Sequence, residues 1–174
     1  IDFDAGGRRD PAARAGLASM TAGQASRGVR AVGGLPALDE NALGEAWADL
    51  GASFGASAGG DRMSFTLRSL TDPALLPRAV QLAARQLGEP AFEATIWERD
   101  HQRVSASLKE ANTRPGTVAG RTFSQAVYGS HPYGFQTTPE SLARLRVPAL
   151  QALSARSILP CRAQPSVAGA LGRN

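Results

Sequence analysis

From Met63 to Arg68 apolar and polar side chains alternate without exception, Met63, Phe65 and Leu67 against Ser64, Thr66 and Arg68. A period of two puts the three apolar groups on one side of an extended strand, and that side has to be covered while the other stays in water. The strand also needs a backbone partner. Residues 52–60, small and glycine-rich, lie close enough in sequence to supply it as the other half of an antiparallel pair. Residues 1–5 alternate apolar and acidic side chains and read as a second half-exposed strand.

Between these strands the period changes to that of helices. Pro11 opens a helix over residues 12–27, weakened at Gly16 and Gly23 by about 1 kcal/mol each relative to Ala. Asp39 is an N-cap for a helix through Leu43, Trp47 and Leu50 that stops at Gly51. Pro73 starts another, with Leu75, Leu76, Ala79, Leu82 and Ala83 on one side. Residues 92–112 form a long helix presenting Trp97, His101, Val104, Leu108 and Ala111 at three- and four-residue spacing. Pro115 ends it and begins a helix through Val118, Phe123 and Val127. Residues 128–134 are a loop, residues 140–145 and 148–157 short helices, and residues 163–171 a closing strand. The expected fold is α+β, an antiparallel sheet with helices packed on one face, in one domain over residues 1–174.

Charge excludes little but is informative in its distribution. The net charge is +4, and 18 of the 19 basic residues are arginine, Lys109 being the exception. The arginines are spread along the chain without a stripe, and residues 37–60 hold Asp39, Glu40, Glu45 and Asp49 with no base. That is not a nucleic-acid-binding surface. No apolar run is long enough to span a bilayer, and residues 1–4 have neither the basic nor the apolar region of an export signal. Cys161, the single cysteine, excludes an internal disulfide.

Two strings imitate a hydrolase nucleophile elbow, Gly51-Ala52-Ser53-Phe54-Gly55 and Gly55-Ala56-Ser57-Ala58-Gly59. That chemistry needs a serine on a strand-to-helix turn, whereas here a helix runs into a strand, so Ser53 and Ser57 are set aside as nucleophiles. His101 and His131 are thirty residues apart with no partner at helical spacing. His101 is a packed helix residue and His131 a loop residue, and with Cys161 they do not make a zinc site.

The order of these pieces resembles the N-terminal half-domain of the pitrilysin/insulinase-type zinc peptidases, above all the bacterial two-subunit kind. The matching strings are the strand into Gly6-Gly7-Arg8-Arg9-Asp10, then Gly16-Leu17-Ala18, then the helix from Glu40 into Gly51-Ala52. The strand pair through Phe65, the Pro115 helix into Tyr128-Gly129-Ser130-His131-Pro132-Tyr133-Gly134, and Val167-Ala168-Gly169 complete the order. In active members Gly-Leu-Ala is followed at once by His-x-x-Glu-His, two zinc ligands one helical turn apart with the water-activating glutamate between them. This chain has Ser19-Met20-Thr21-Ala22-Gly23 there. The resemblance thus implies degenerate motif positions at Ser19, Ala22 and Gly23, no catalytic residue, no metal ligand and no cofactor. The family's third ligand, a glutamate on a later helix, falls near Ser105 or Ser107 in this reading, with Asp100 and Glu110 out of step.

Such a resemblance implies a non-catalytic member that assembles with a zinc-bearing homologous subunit and helps enclose a peptide substrate. It also implies a first half-domain of a longer chain and a periplasmic setting; the substrate-binding residues stay open. A structural scaffold without a peptidase partner, and a peptidase activity residing in another part of the chain, are the alternatives.

Overall fold

The alternating segments form one antiparallel sheet in the computed structural model, which describes residues 1–170. Its strands are β1 (Asp2–Phe3), β2 (Ser53–Ala58) and β3 (Met63–Arg68), in the order β1-β3-β2. The register aligns Phe54 with Leu67, Ala56 with Phe65 and Ala58 with Met63, and Phe3 with Met63 on the other side. Every apolar side chain therefore leaves the same face, while Ser53, Gly55, Ser57, Thr66 and Arg68 are exposed on the other. The expected one-sided α+β architecture is what the chain adopts.

Seven α-helices cover the apolar face or border it among the described residues: α1 (Leu17–Ala25), α2 (Glu40–Asp49), α3 (Leu75–Gly88), α4 (Ala94–Ala111), α5 (Pro115–Tyr128), α6 (Pro139–Leu142) and α7 (Val147–Ser157). α1 is the central one. Leu17, Ala18, Met20, Ala22 and Ala25 join Phe3, Met63 and Phe65 of the sheet, Trp97 of α4, and Leu150 and Leu153 of α7 in the main core. A side core forms where Leu43 and Trp47 of α2 meet Ala79 and Ala83 of α3 over Phe54 and Leu67. Trp47 lies flat on Phe54, ring centroids 5.7 Å apart, and its indole N–H donates to Gln86 Oε1 at 3.0 Å. Burying rings of this kind contributes about 2–3 kcal/mol apiece.

Local chemistry sets the helix boundaries. The Asp39 carboxylate accepts from Ala42 N at 2.8 Å, the expected N-cap of α2. Asp72 does the same for the turn into α3 through Ala74 N and Leu75 N, so that helix starts two residues beyond Pro73. Thr138 and Ser141 form a reciprocal capping box that starts α6, a single turn.

Two expectations need correction. The helix expected over residues 12–27 is broken: a 3-10 turn at Ala12–Arg14 is followed by Gly16 in the left-handed region, φ +98°, and only then by α1. A Cβ on Gly16 would lie 2.5 Å from Thr137 Oγ1, so this glycine permits both the turn and the close approach of the later loop. The strand expected over residues 163–171, Val167-Ala168-Gly169 included, is also not formed by the described residues. Gln164 alone bridges Asp2, through N–H···O bonds of 2.9 and 3.0 Å. Pro165, which has no N–H to donate, follows at once and stops the ladder. Leu171 lies outside the described residues.

Gly16→Ala is expected to lower stability by about 2 kcal/mol or more, from left-handed strain plus the clash with Thr137. Gly44→Ala, on the exposed interior of α2 with open space around it, is expected to raise stability by about 1 kcal/mol. Urea unfolding of the two variants checks the opposite signs.

Candidate functional site

Seven of the nine residues of α1 are buried. The two that reach its surface are Ser19, which is exposed, and Gly23, which is half-buried. They are four apart and so share one helix face. Ser19 opens onto a cleft of about 450 Å³ whose floor is Ala15, Gly16 and Ser19. Gly7 and Arg8 with the β2–β3 turn at Gly59 and Gly60 form one wall; Tyr128, Pro132, Tyr133 and Phe135 form the other.

The floor is held by a buried acid. Asp10, 6% exposed, accepts from Gly16 N at 3.0 Å and from Ala18 N at 3.1 and 3.2 Å. Ala15-Gly16 offers α1 no capping side chain of its own, and the first N–H groups of a helix need acceptors, so a carboxylate six residues upstream takes that place. That missing local cap was the sequence signal for Asp10, which sequence reasoning left unused. Ser141 Oγ donates to Ala15 O at 2.9 Å and joins the same junction to α6.

The walls are tied by a polar chain. Gly7 N donates to Gly59 O and Arg8 N to Gly60 O, both at 2.8 Å. Tyr133 Oη donates to Asp61 Oδ1 at 2.7 Å, and Arg8 Nε lies 3.0 Å from the same oxygen. The bond to Asp61 holds the Tyr133 phenol above its ordinary pKa, so the ring stays neutral and in place.

On the far side of α1, α4 presents Trp97 and Asp100 inward. Asp100 accepts from Gln24 Nε2 of α1 at 2.9 Å. Asp100 is three residues beyond Trp97 and lies on the same buried face of α4. Ser105 is half-buried and Ser107 exposed further along α4, and Glu110 is an exposed residue paired with Arg114. Near Asp100, burial pushes the Glu40 carboxyl up, but Arg99 and Arg27 together outweigh it and hold it below the usual range.

The remaining candidates have ordinary structural employment. His101 packs its ring on Trp97 at 5.2 Å and donates through Nε2 to Leu142 O at 3.2 Å. His131 accepts from Tyr133 N at 3.2 Å through Nδ1 and stacks edge-on against that ring. Cys161 is exposed. Ser53 and Ser57 sit inside β2 on its exposed face, not on a strand-to-helix turn. No three His, Cys, Asp or Glu side chains converge in a metal-binding group among the described residues.

With strand order, helix order and the cleft established, solved structures can be compared. The peptidase M16 inactive domain from Pseudomonas fluorescens superposes with a TM-score of 0.80 at 28% identity, over 87% of this chain and 36% of that one. Pitrilysin matches at 26% identity and a TM-score of 0.64, over 89% of this chain and 16% of that one. The fold is that of an M16 peptidase half-domain. A protease from Helicobacter pylori shares it at 15% identity, with a TM-score of 0.78 over 92% of this chain and 38% of that one. The chain thus spans little more than a third of the Pseudomonas M16 domain and less of pitrilysin. No protein-family model and no curated protein matches it by sequence.

An M16 cleft floor held by Asp10 generates a pH prediction. Burial pushes the Asp10 carboxyl above its ordinary value, and the N–H groups of Ala18, Gly16 and Leu17 offset this only in part. The native state then keeps the Asp10 proton to higher pH than the unfolded chain, so this group's stabilisation is complete below the unfolded pKa and declines as pH rises through the folded one. Asp10→Ala is expected to cost about 2 kcal/mol by orphaning the α1 N–H groups. The stability of wild type minus that of Asp10→Asn, from urea melts, is expected to fall from about pH 3 to about pH 6; a rise over that range contradicts it.

Proposed function

We propose that this M16-type domain is catalytically silent and acts on peptides by assembling with a zinc-bearing homologue, whose cleft it helps to enclose. The observation that carries the reading is the surface stripe of α1. In the resemblance to active members, Ser19 and Gly23 take the positions of the two histidines and Ala22 that of the glutamate between them. Zinc takes thiolate, imidazole or carboxylate donors. A neutral hydroxyl, a methyl group and a bare Cα supply none of these, and Ala22 is in any case buried in the core. The residues present do not fit a zinc ion.

Two further features support assembly. The chain corresponds to about a third of the length of the Pseudomonas M16 inactive domain, in keeping with one half-domain of a longer chain. Every residue of α5 is half-buried or exposed, with Phe123 at 70% and Val118 and Val127 also outward. Apolar surface of that kind beside a cleft is what a partner covers. A nucleic-acid or membrane partner is not part of this reading.

The chain alone is expected to cleave no peptide and to retain well under one zinc per chain after dialysis; elemental analysis showing about one zinc overturns the reading. Mixed with a zinc-bearing M16 homologue encoded beside it, it is expected to co-elute in size-exclusion chromatography and to raise peptide cleavage by that homologue. Separate elution with unchanged cleavage favours a structural scaffold instead.

A further inference from the structure

α5 is a helix of 14 residues, none of them buried. Helices of about 12–15 residues are marginal in water by themselves, and in proteins most persist through a packed apolar face. The composition of α5 does not compensate. It holds Gly116 and Gly120 and the β-branched Thr117, Val118, Thr122 and Val127, all weaker helix formers than Ala. Both hydrophobic cores are built without residues 115–135.

α5 packs instead on its own continuation. Tyr128, His131 and Tyr133 form a cluster of rings, with centroids 4.8 Å apart for His131 and Tyr133 and 5.8 Å apart for Tyr128 and Tyr133. Gly134 is buried, and a Cβ on it would lie 3.1 Å from the Tyr128 Cβ. Gln125 Nε2 donates to Gly129 O at 3.1 Å, while His131 N and Gly134 N donate to Tyr128 O and His131 O, both at 2.8 Å. Helix and turn thus hold each other. Behind them a groove of about 670 Å³, lined by Ala12, Thr122, Gln125, Ala126 and Thr138, separates α5 from the body of the domain.

This unit brings Tyr128, Pro132 and Tyr133 to the cleft, and one side chain fastens it to the opposite wall. Among the described residues, no backbone hydrogen bond joins residues 119–135 to the rest of the molecule. Arg121 reaches back to Asn112, next to the start of α5. Tyr133 Oη crosses the cleft mouth to Asp61 Oδ1 at 2.7 Å, and Arg8 Nε stands 3.0 Å from the same oxygen. The Tyr133 ring lies along Gly60, its Cε1 3.7 Å from where a Cβ would be.

We propose that residues 115–134 are a flap that opens as one unit at a lower free energy than global unfolding, and that the Tyr133–Asp61 hydrogen bond is its latch. Opening, about hinges at residues 112–114 and 135–136, takes away the aromatic wall of the cleft and bares Ser19 on its floor. Closing restores an enclosed slot. The inference holds whether or not the chain works beside a zinc-bearing homologue.

Native-state hydrogen exchange of the full chain, read by mass spectrometry, tests this. In the wild type, amides of residues 116–133 are expected to exchange together and faster than those of α1. Tyr133→Phe keeps a ring on Gly60 and removes only the hydroxyl. It is expected to speed exchange over residues 116–133 by about threefold to tenfold, the contribution of one hydrogen bond to the opening equilibrium, and to leave α1 and α7 unchanged. Asp61→Ala is expected to act likewise, and the double variant to go no further than Asp61→Ala alone. Both side chains are exposed, so neither change removes core packing. Trypsin cleavage after Arg121, the one arginine or lysine between Arg114 and Arg144, is expected to quicken in Tyr133→Phe. Exchange over residues 116–133 as slow as in α1, or rising in step with α1, overturns the flap. Exchange and cleavage indifferent to Tyr133→Phe, or two effects that multiply in the double variant, overturn the latch.

Discussion

The N-terminus of α1 is the point on which this fold turns. A nearly all-buried helix must find acceptors for its first N–H groups, and nothing in Ala15-Gly16 provides them. The Asp10 carboxylate does, from a strand-to-helix connection that is itself pinned to the β2–β3 turn by backbone bonds from Gly6, Gly7 and Arg8. Gly16, in a conformation other residues adopt at a cost, lets the chain turn into α1 and lets Thr137 approach. Sheet, helix and the Tyr128–Thr137 side of the cleft are therefore joined within a few residues.

From that junction the rest follows by packing. α1 lies across the apolar face of the sheet with α7 beside it, and α4 closes the core from the other side through Trp97. Of α1 only Ser19, which lines the cleft, and Gly23 are left at the surface. Such a geometry suits a two-ligand helix face, yet the side chains on it are too poor in donors to hold a metal. In the reading proposed above, the fold keeps the scaffold of a site without its chemistry, because burial and capping maintain the scaffold and do not involve the exposed stripe.

Much of the secondary structure was legible because it rests on local rules. The period-two run at Met63–Arg68, the Asp39 cap and the Pro115 start each depend on neighbours within a few residues. The misreadings come from places where distant contacts decide. Gly16 looked like a weak point inside a helix and is instead its boundary, because Thr137 arrives from 121 residues away in sequence to occupy the space a side chain would fill. Residues 163–171 read as a closing strand, but a strand needs donors, and Pro165 removes one just after the single bridge to Asp2.

The sequence by itself determined that the chain is α+β, that one sheet face is apolar, and that positions 19, 22 and 23 carry no zinc-type donor, since side-chain chemistry is read without coordinates. Tertiary structure alone decided which acid caps α1 and which carboxylate of α4 faces it. Asp10 and Asp100 are ordinary surface-type residues until burial removes their water, and burial is a property of packing between segments, not of any local string.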